Sequence, residues 1–124
     1  ICLGILKPAF ARLRPFMLDS GIDLILHAPT DFSFPSGHTA SSFSAAVTLL
    51  LYNRKYGVLS LIAAALIAFS RLYLMVHFPS DVIAGIALGA LTGAAAFIVT
   101  QKLEAFILSR SKKRGADGEE RRKI

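Results

Sequence analysis

At 124 residues the chain has room for one domain at most. It is 54% hydrophobic and only 18% charged, with a mean hydropathy of +0.57. Its apolar residues come in blocks, which excludes an ordinary soluble domain and points to a membrane protein. The formal net charge of +6 is uneven, because residues 110–124 hold seven basic against three acidic side chains and so carry +4 of it. A basic tail after an apolar helix reads as a cytoplasmic anchor near anionic lipid. It has no interleaved aromatics, which argues against nucleic-acid binding. The single Cys2 cannot form an internal disulfide and reads as a small apolar packing residue.

The chain opens Ile-Cys-Leu-Gly-Ile-Leu, without Met or a charged leader region, so it does not read as a signal peptide. It reads as the far end of a helix, and the chain as a fragment truncated at its N-terminus. Lys7, Arg12 and Arg14 then arrive with Pro8 and Pro15. Pro15 is expected to end the helix, since a residue before proline is pushed out of the helical region. Lys7 and Arg14, seven apart, would share a helix face; the bland reading is a pair of cations snorkelling to the bilayer edge. Residues 16–34 form a mixed connector with Asp19, Asp23, Asp31, Gly21 and Pro29. Its Ile22–Leu26 patch could lie on the membrane surface, and His27 reads as a surface histidine because no second ligand stands at helical spacing from it.

Three uncharged runs follow. Thr39–Asn53 carries Ser41, Ser42 and Ala45, small residues that permit close helix packing. The short loop Asn53-Arg54-Lys55-Tyr56-Gly57 makes the next helix return antiparallel. Gly57–Ser70, extended by Leu72–Val76, reaches a spanning length of about 20 residues. Phe78-Pro79-Ser80 is expected to break it, with Ser80 or Asp81 capping the next helix. That helix, Val82–Gln101, repeats Gly85, Gly89 and Gly93 every four residues, a packing face with no chemistry of its own. The expected fold is therefore all-α: a transmembrane bundle of three spanning helices plus the end of a preceding one. Residues 1–109 would be the membrane-embedded catalytic domain and residues 110–124 a basic cytoplasmic tail. The Arg54/Lys55 loop and the tail fall on one side, which the positive-inside rule makes cytoplasmic. Lys7–Arg14, the turn around His38 and the linker Arg71–Asp81 then meet on the opposite, exoplasmic face.

Two of those clusters invite chemistry. Phe34-Pro35-Ser36-Gly37-His38-Thr39 directly precedes a helix. Gly37 lets a ligand approach the backbone, and the free N–H groups at the helix start, with the Ser36 hydroxyl, form an anion site. His38 would stand beside the anion, able to move a proton near neutral pH. In Ser70-Arg71-x5-His77-x3-Asp81, a cation, an imidazole and a carboxylate meet at a membrane edge, where such groups are expensive and by default mark function. The bland alternative has Arg71 snorkelling, His77 in the headgroup layer and Asp81 starting a helix.

Taken in order, Lys7-x6-Arg14-Pro15, Pro35-Ser36-Gly37-His38 and Ser70-Arg71-x5-His77-x3-Asp81 resemble the three-part signature of the type 2 phosphatidic-acid phosphatase superfamily, matched at every defining position across residues 7–81. That family includes bacterial undecaprenyl-pyrophosphate and phosphatidylglycerophosphate phosphatases, glucose-6-phosphatase and vanadium haloperoxidases. By the resemblance, His77 would be the nucleophile that forms a phosphohistidine, Asp81 would hold its other ring nitrogen, and His38 would protonate the leaving oxygen and then activate water. Lys7, Arg14 and Arg71, with Ser36 and the Gly37 amide, would clamp the phosphoryl oxygens. The implied activity is metal-independent hydrolysis of a lipid phosphate or diphosphate at the exoplasmic face of a bacterial cell membrane, with no cofactor, with the lipid phosphate substrate and membrane lipids as partners, and with no nucleic acid. Phosphoryl transfer needs mainly positioning and charge stabilisation, and three cations could supply what metal ions supply elsewhere. Two alternatives follow: vanadate-dependent halide oxidation, disfavoured by the apolar spans, and a non-enzymatic lipid-binding or transporter fragment.

Overall fold

The computed structural model describes residues 2–18 and 29–121, with side chains for 4–18 and 29–111. Asp19, Asp23, the Ile22–Leu26 patch and His27 lie outside the described residues, as do the tail's side chains from Lys112 onward. Among the described residues five helices follow in order: α1 Cys2–Phe10, α2 Pro15–Leu18, α3 Gly37–Tyr52, α4 Arg54–Tyr73 and α5 Pro79–Arg121. Among the described residues there is no strand.

Helix α1 does not run to Pro15. It ends at Phe10, where Ala11 takes a left-handed conformation (φ 41°) and donates its N–H to Lys7 O at 3.1 Å, a single-bond C-terminal cap. Pro15 instead opens α2, at a first helical position where its missing N–H costs nothing. Lys7 and Arg14 therefore do not share a helix face; they meet because the chain turns between them.

Helices α3 and α4 are joined through Asn53 alone. Its N–H donates to Leu49 O, closing α3, and its side-chain carbonyl accepts from Lys55 and Tyr56 N–H, opening α4. This is a strong cap, because one residue satisfies orphan groups of both helices. The reversal is tight enough that a methyl added to Gly57 would overlap the Leu50 backbone.

Helix α4 stops at Tyr73, five residues before Phe78. The stop is set by Met75, left-handed at φ 54°. Met75 N–H bonds Leu72 O at 2.9 Å and Val76 N–H bonds Arg71 O at 3.3 Å, the two bonds of a Schellman cap with methionine in the usual glycine place. Pro79 is thus the start of α5 rather than the break in α4. Phe78 holds the N-cap position, and its N–H donates back to Asp81 Oδ2 at 2.9 Å, half of a capping box. Asp81 serves that cap from the third helical position; neither it nor Ser80 occupies the cap itself.

The glycine ladder decides how α3 and α5 pack. A methyl on Gly85 would stand 2.8 Å from Ser36 O and 3.0 Å from Thr39 Cβ; one on Gly89 would overlap Ala40 O and stand 2.9 Å from Phe43 Cβ; one on Gly93 would overlap Ser44 O. Ascending glycines meet ascending α3 residues, so the two helices run parallel and both N-termini lie at one end. Thr48 Oγ1 donates across this seam to Gly93 O at 3.0 Å. The side chains enclosed are small, with Ala40, Ala46, Ala64 and Ala68 buried, whereas Leu59, Leu66, Phe69, Leu91 and Val99 face outward. Small residues inside and large apolar residues outside is the pattern of a helix bundle solvated by lipid. Among the described residues two helical segments, Arg54–Tyr73 and Pro79–Ser111, are long and apolar enough to cross a membrane. Helix α3, at 16 residues, is shorter; its first turn belongs to the site described below.

Overpacking the seam should separate α3 from α5. Gly89→Ala is expected to cost about 1–3 kcal/mol, lowering the melting temperature in detergent, while Gly4→Ala, with nothing within 4 Å of the added methyl, should leave it unchanged or slightly raised.

Candidate active site

The parallel α3–α5 pair presents two helix N-termini at one end of the bundle, and α4 ends there too. A cavity of about 680 Å³ opens at this end, and its wall includes Lys7, Arg14, Gly37, His38, Arg71 and His77, with Asp31, Ser41 and Val76 between them. Three stretches separated by up to 70 positions in the chain are brought together here. Two residues expected among the phosphate ligands or catalytic groups, Ser36 and Asp81, lie behind the wall and are fully buried.

His77 sits in the irregular turn between α4 and α5 and is 5% exposed. Its two nitrogens face different groups. Nε2 is 3.4 Å from Arg14 Nη1, on the cavity side. Nδ1 is 3.4 Å from Ser33 Oγ and 3.7 Å from Asp81 Oδ2, so Ser33 is interposed between the imidazole and the carboxylate. Ser33 Oγ donates to that same Oδ2. With the proton on Nδ1, the chain Nδ1–H, Ser33 hydroxyl, Asp81 carboxylate is satisfied throughout, and the Nε2 lone pair points toward the cavity. Burial, and then the Arg14 charge, push the His77 imidazole down to about 4, with Asp81 opposing them. The ring is therefore neutral at ordinary pH.

Asp81 is saturated. Oδ1 accepts Arg12 Nη1 at 2.8 Å, and Oδ2 accepts Ser33 and the Phe78 N–H. Arg12 also donates to Ser80 Oγ at 2.6 Å, and its guanidinium stacks 4.2 Å above the Phe78 ring. The stretch holding Ser33 is tied to the same hub, with Ser33 N–H on Arg12 O at 2.9 Å and Ser36 N–H on Asp81 O at 3.1 Å.

Arg14 is 3% exposed and held at three points: Nε on Asp31 O at 2.9 Å, Nη1 on Val76 O at 2.8 Å and Nη2 on Asp31 Oδ1 at 2.6 Å. The Met75 cap is what aims the Val76 carbonyl at it. Lys7 pairs with the other carboxylate oxygen of Asp31. Arg71, in the last turn of α4, donates through Nε and Nη2 to Ser70 Oγ at 3.2 and 3.1 Å; Ser70 in turn donates to Ile67 O at 2.7 Å. That serine orients a guanidinium whose remaining donors can meet an anion.

At the α3 start, Gly37 and His38 reach the cavity wall, where first-turn N–H groups have no intrahelical partner. The Ser36 hydroxyl does not join them: it is hydrogen-bonded to Thr39 Oγ1 at 2.9 Å and makes no side-chain cap. Among the described residues no group of three His, Cys, Asp or Glu side chains converges as a metal site.

Such a wall, with three cations, free helix-start amides, a neutral imidazole nitrogen and a second histidine, has the charge and donors to accept a tetrahedral oxyanion. The family model described as the PAP2 superfamily matches residues 1–105. The chain belongs to the PAP2 superfamily. An undecaprenyl-diphosphatase of Sulfolobus acidocaldarius is 46% identical over 92 residues, covering 73% of this chain and 45% of that protein. A putative undecaprenyl-diphosphatase of Escherichia coli is 37% identical, covering 76% and 48%, and a lipid A 4'-phosphatase of Bacteroides thetaiotaomicron is 31% identical, covering 88% and 52%. Among solved structures, a transmembrane PAP2-type phosphatidylglycerolphosphate phosphatase from Bacillus subtilis superposes with a TM-score of 0.61 at 28% identity, covering 84% of this chain and 52% of that one. The chain spans about half the length of the curated relatives it matches. Its apolar helices and its transmembrane neighbour make it a PAP2 protein of the membrane-embedded kind.

Three residues of this PAP2 site escape the motif reading: Arg12, Asp31 and Ser33. Arg12 and Asp31 stand out in the sequence only as charges in an apolar chain, and Ser33 carries no local signal.

The imidazole of His77 should titrate near pH 4 by NMR, below the ordinary 6.5. Removing the adjacent positive charge in Arg14→Gln should move that midpoint upward. A wild-type midpoint at or above 6.5 would contradict the described surroundings.

Proposed function

We propose that this chain carries the catalytic part of a lipid phosphatase that transfers the terminal phosphoryl group of a lipid phosphate or diphosphate to His77, and from there to water. The observation that carries this reading is the single cavity in which Lys7, Arg14, Gly37, His38, Arg71 and His77 converge from three separated motifs.

In this mechanism the substrate's phosphoryl group enters between Arg14, Lys7, Arg71 and the α3 amides. His77 Nε2 attacks phosphorus, and the bond to the lipid oxygen breaks. The leaving oxygen takes a proton from His38. The positive charge that develops on the His77 ring is stabilised through Nδ1–H by Ser33 and Asp81. Water, deprotonated by His38, then attacks phosphorus from the side the lipid left; the N–P bond breaks and inorganic phosphate is released with both histidines restored. Charge on the equatorial oxygens is met by guanidinium and ammonium groups rather than by a metal ion, and arginine suits the task because its planar fork meets two oxygens at once. Ser36, fully buried against Thr39, supports the turn that aims Gly37 and His38.

The membrane placement supports an exoplasmic site. The cavity lies at one end of the bundle, while Arg54, Lys55 and the basic continuation of α5 lie toward the other, the side that the positive-inside rule assigns to the cytoplasm. The relatives named above make undecaprenyl diphosphate the first substrate to test, with a phosphatidic-acid-type lipid beside it.

Phosphate release by the full-length protein in detergent should proceed without added metal and persist in chelator. Arg71→Ala should lower the rate by roughly 10²–10³, and His77→Ala should abolish it; near wild-type turnover in His77→Ala would sink the proposed nucleophile.

A further inference from the structure

The phosphate clamp is not empty of anions: Asp31 already occupies it. Its carboxylate bridges two of the three cations, Oδ1 to Arg14 Nη2 at 2.6 Å and Oδ2 to Lys7. Of these groups the acid is the open one, its side chain 55% exposed against 4% for Arg14 and 16% for Lys7. It also lies on the wall of the same cavity.

Placement of Arg14 does not need this carboxylate. Two backbone carbonyls, Asp31 O on Nε and Val76 O on Nη1, already fix the guanidinium plane. What the carboxylate adds is charge. It offsets one of the three positive charges of Lys7, Arg14 and Arg71, and it does so with the planar pair of oxygens that a phosphoryl group would present to the same donors. Burial works against its ionised form, but the hydrogen bonds and charges of Lys7 and Arg14 prevail and hold the Asp31 carboxyl below its ordinary value. The acid therefore stays charged wherever the enzyme works, and two anions contend for one pair of cations.

We propose that Asp31 is a counter-anion built into the clamp, which yields Lys7 and Arg14 to the incoming phosphoryl group and reclaims them as phosphate leaves, so that it sets how tightly the product is held. The proposal rests on the phosphatase reading above. In it Asp31 is a specificity-determining residue of the known site type: it tunes the charge the clamp accepts. A clamp of three unopposed cations would bind inorganic phosphate tightly and release it slowly.

Calorimetric titration of the full-length protein with inorganic phosphate tests this, using wild type, Asp31→Asn and Asp31→Ala. Asparagine keeps an oxygen for Arg14 Nη2 and removes only the charge. Both variants should bind phosphate roughly tenfold more tightly, the size expected for removing one half-exposed opposing charge at contact distance. In lipid phosphate hydrolysis KM should fall and kcat should not rise, whereas a mere brace for Arg14 would raise KM on removal. In the wild type itself, phosphate addition should shift a carboxylate stretching band in the infrared difference spectrum as Asp31 leaves its cations; unchanged bands would overturn the proposal without recourse to any variant. If the wild type binds phosphate and the variants bind it equally or less tightly, the counter-anion role is wrong while the clamp stands. If none of the three binds phosphate, the clamp reading falls and takes this proposal with it.

Discussion

A carboxylate sealed from water must have its charge met, and Asp81 is fully buried. Its partners come from every segment that builds the site: Arg12 from the α1–α2 connection, Ser33 from the stretch before α3, and the Phe78 N–H and His77 from the α4–α5 turn. Its backbone carbonyl takes the Ser36 N–H as well. Removing any one donor would leave the others compensating a buried charge, which is why these irregular segments, lacking regular structure of their own, are held in register. The glycine seam makes the arrangement possible. Without the close approach at Gly85 and Gly89, the first turn of α3 could not reach the first turn of α5, and Ser36 could not reach Asp81.

The site is electrostatically graded. Asp81 and Ser33 sit behind His77, where negative charge and a relayed hydrogen bond fix one ring nitrogen. Arg14 sits in front, where burial and then its positive charge keep the other nitrogen unprotonated, and where that charge would attract the oxygens of a phosphoryl group. Opposite charges on opposite faces of one imidazole direct its lone pair into the cavity. Two left-handed residues without the freedom of glycine, Ala11 and Met75, immediately precede the segments that carry Arg12, Arg14, Val76 and His77. Such conformations cost of order 1–3 kcal/mol each and persist where surrounding contacts over-determine them, as the ties to Asp81 and Asp31 do here.

Much of this was legible in the chain. The apolar blocks and the four-residue glycine repeat define helices and their packing through strictly local rules, and the all-α bundle followed; the loop expected over Asn53–Gly57 shrinks to Asn53, because its side chain caps α4 and lets that helix start at Arg54. The family resemblance of three spaced motifs singled out Lys7, Arg14, Gly37, His38, Arg71 and His77, which share one cavity wall, and Ser36 and Asp81, which are buried behind it. What stayed hidden depended on distant partners. Arg12 meets Asp81 across 69 positions and Asp31 meets Arg14 across 17, and no periodicity encodes such pairings. The two prolines misled for a related reason: Pro15 and Pro79 read as helix breakers, but Ala11 and Met75 had already ended the helices, and the prolines open the next ones. Ser36, expected at the anion, turned to Thr39 because that neighbour, one helical turn on, competes for its hydroxyl.

The central claim is that His77 Nε2 receives the phosphoryl group. Rapid quenching of the full-length protein with a lipid phosphate labelled at its terminal phosphorus tests it most directly. The account predicts an acid-labile label on His77 that is absent from His77→Ala. Hydrolysis that proceeds with no label on His77, or with the label on another residue, would contradict it.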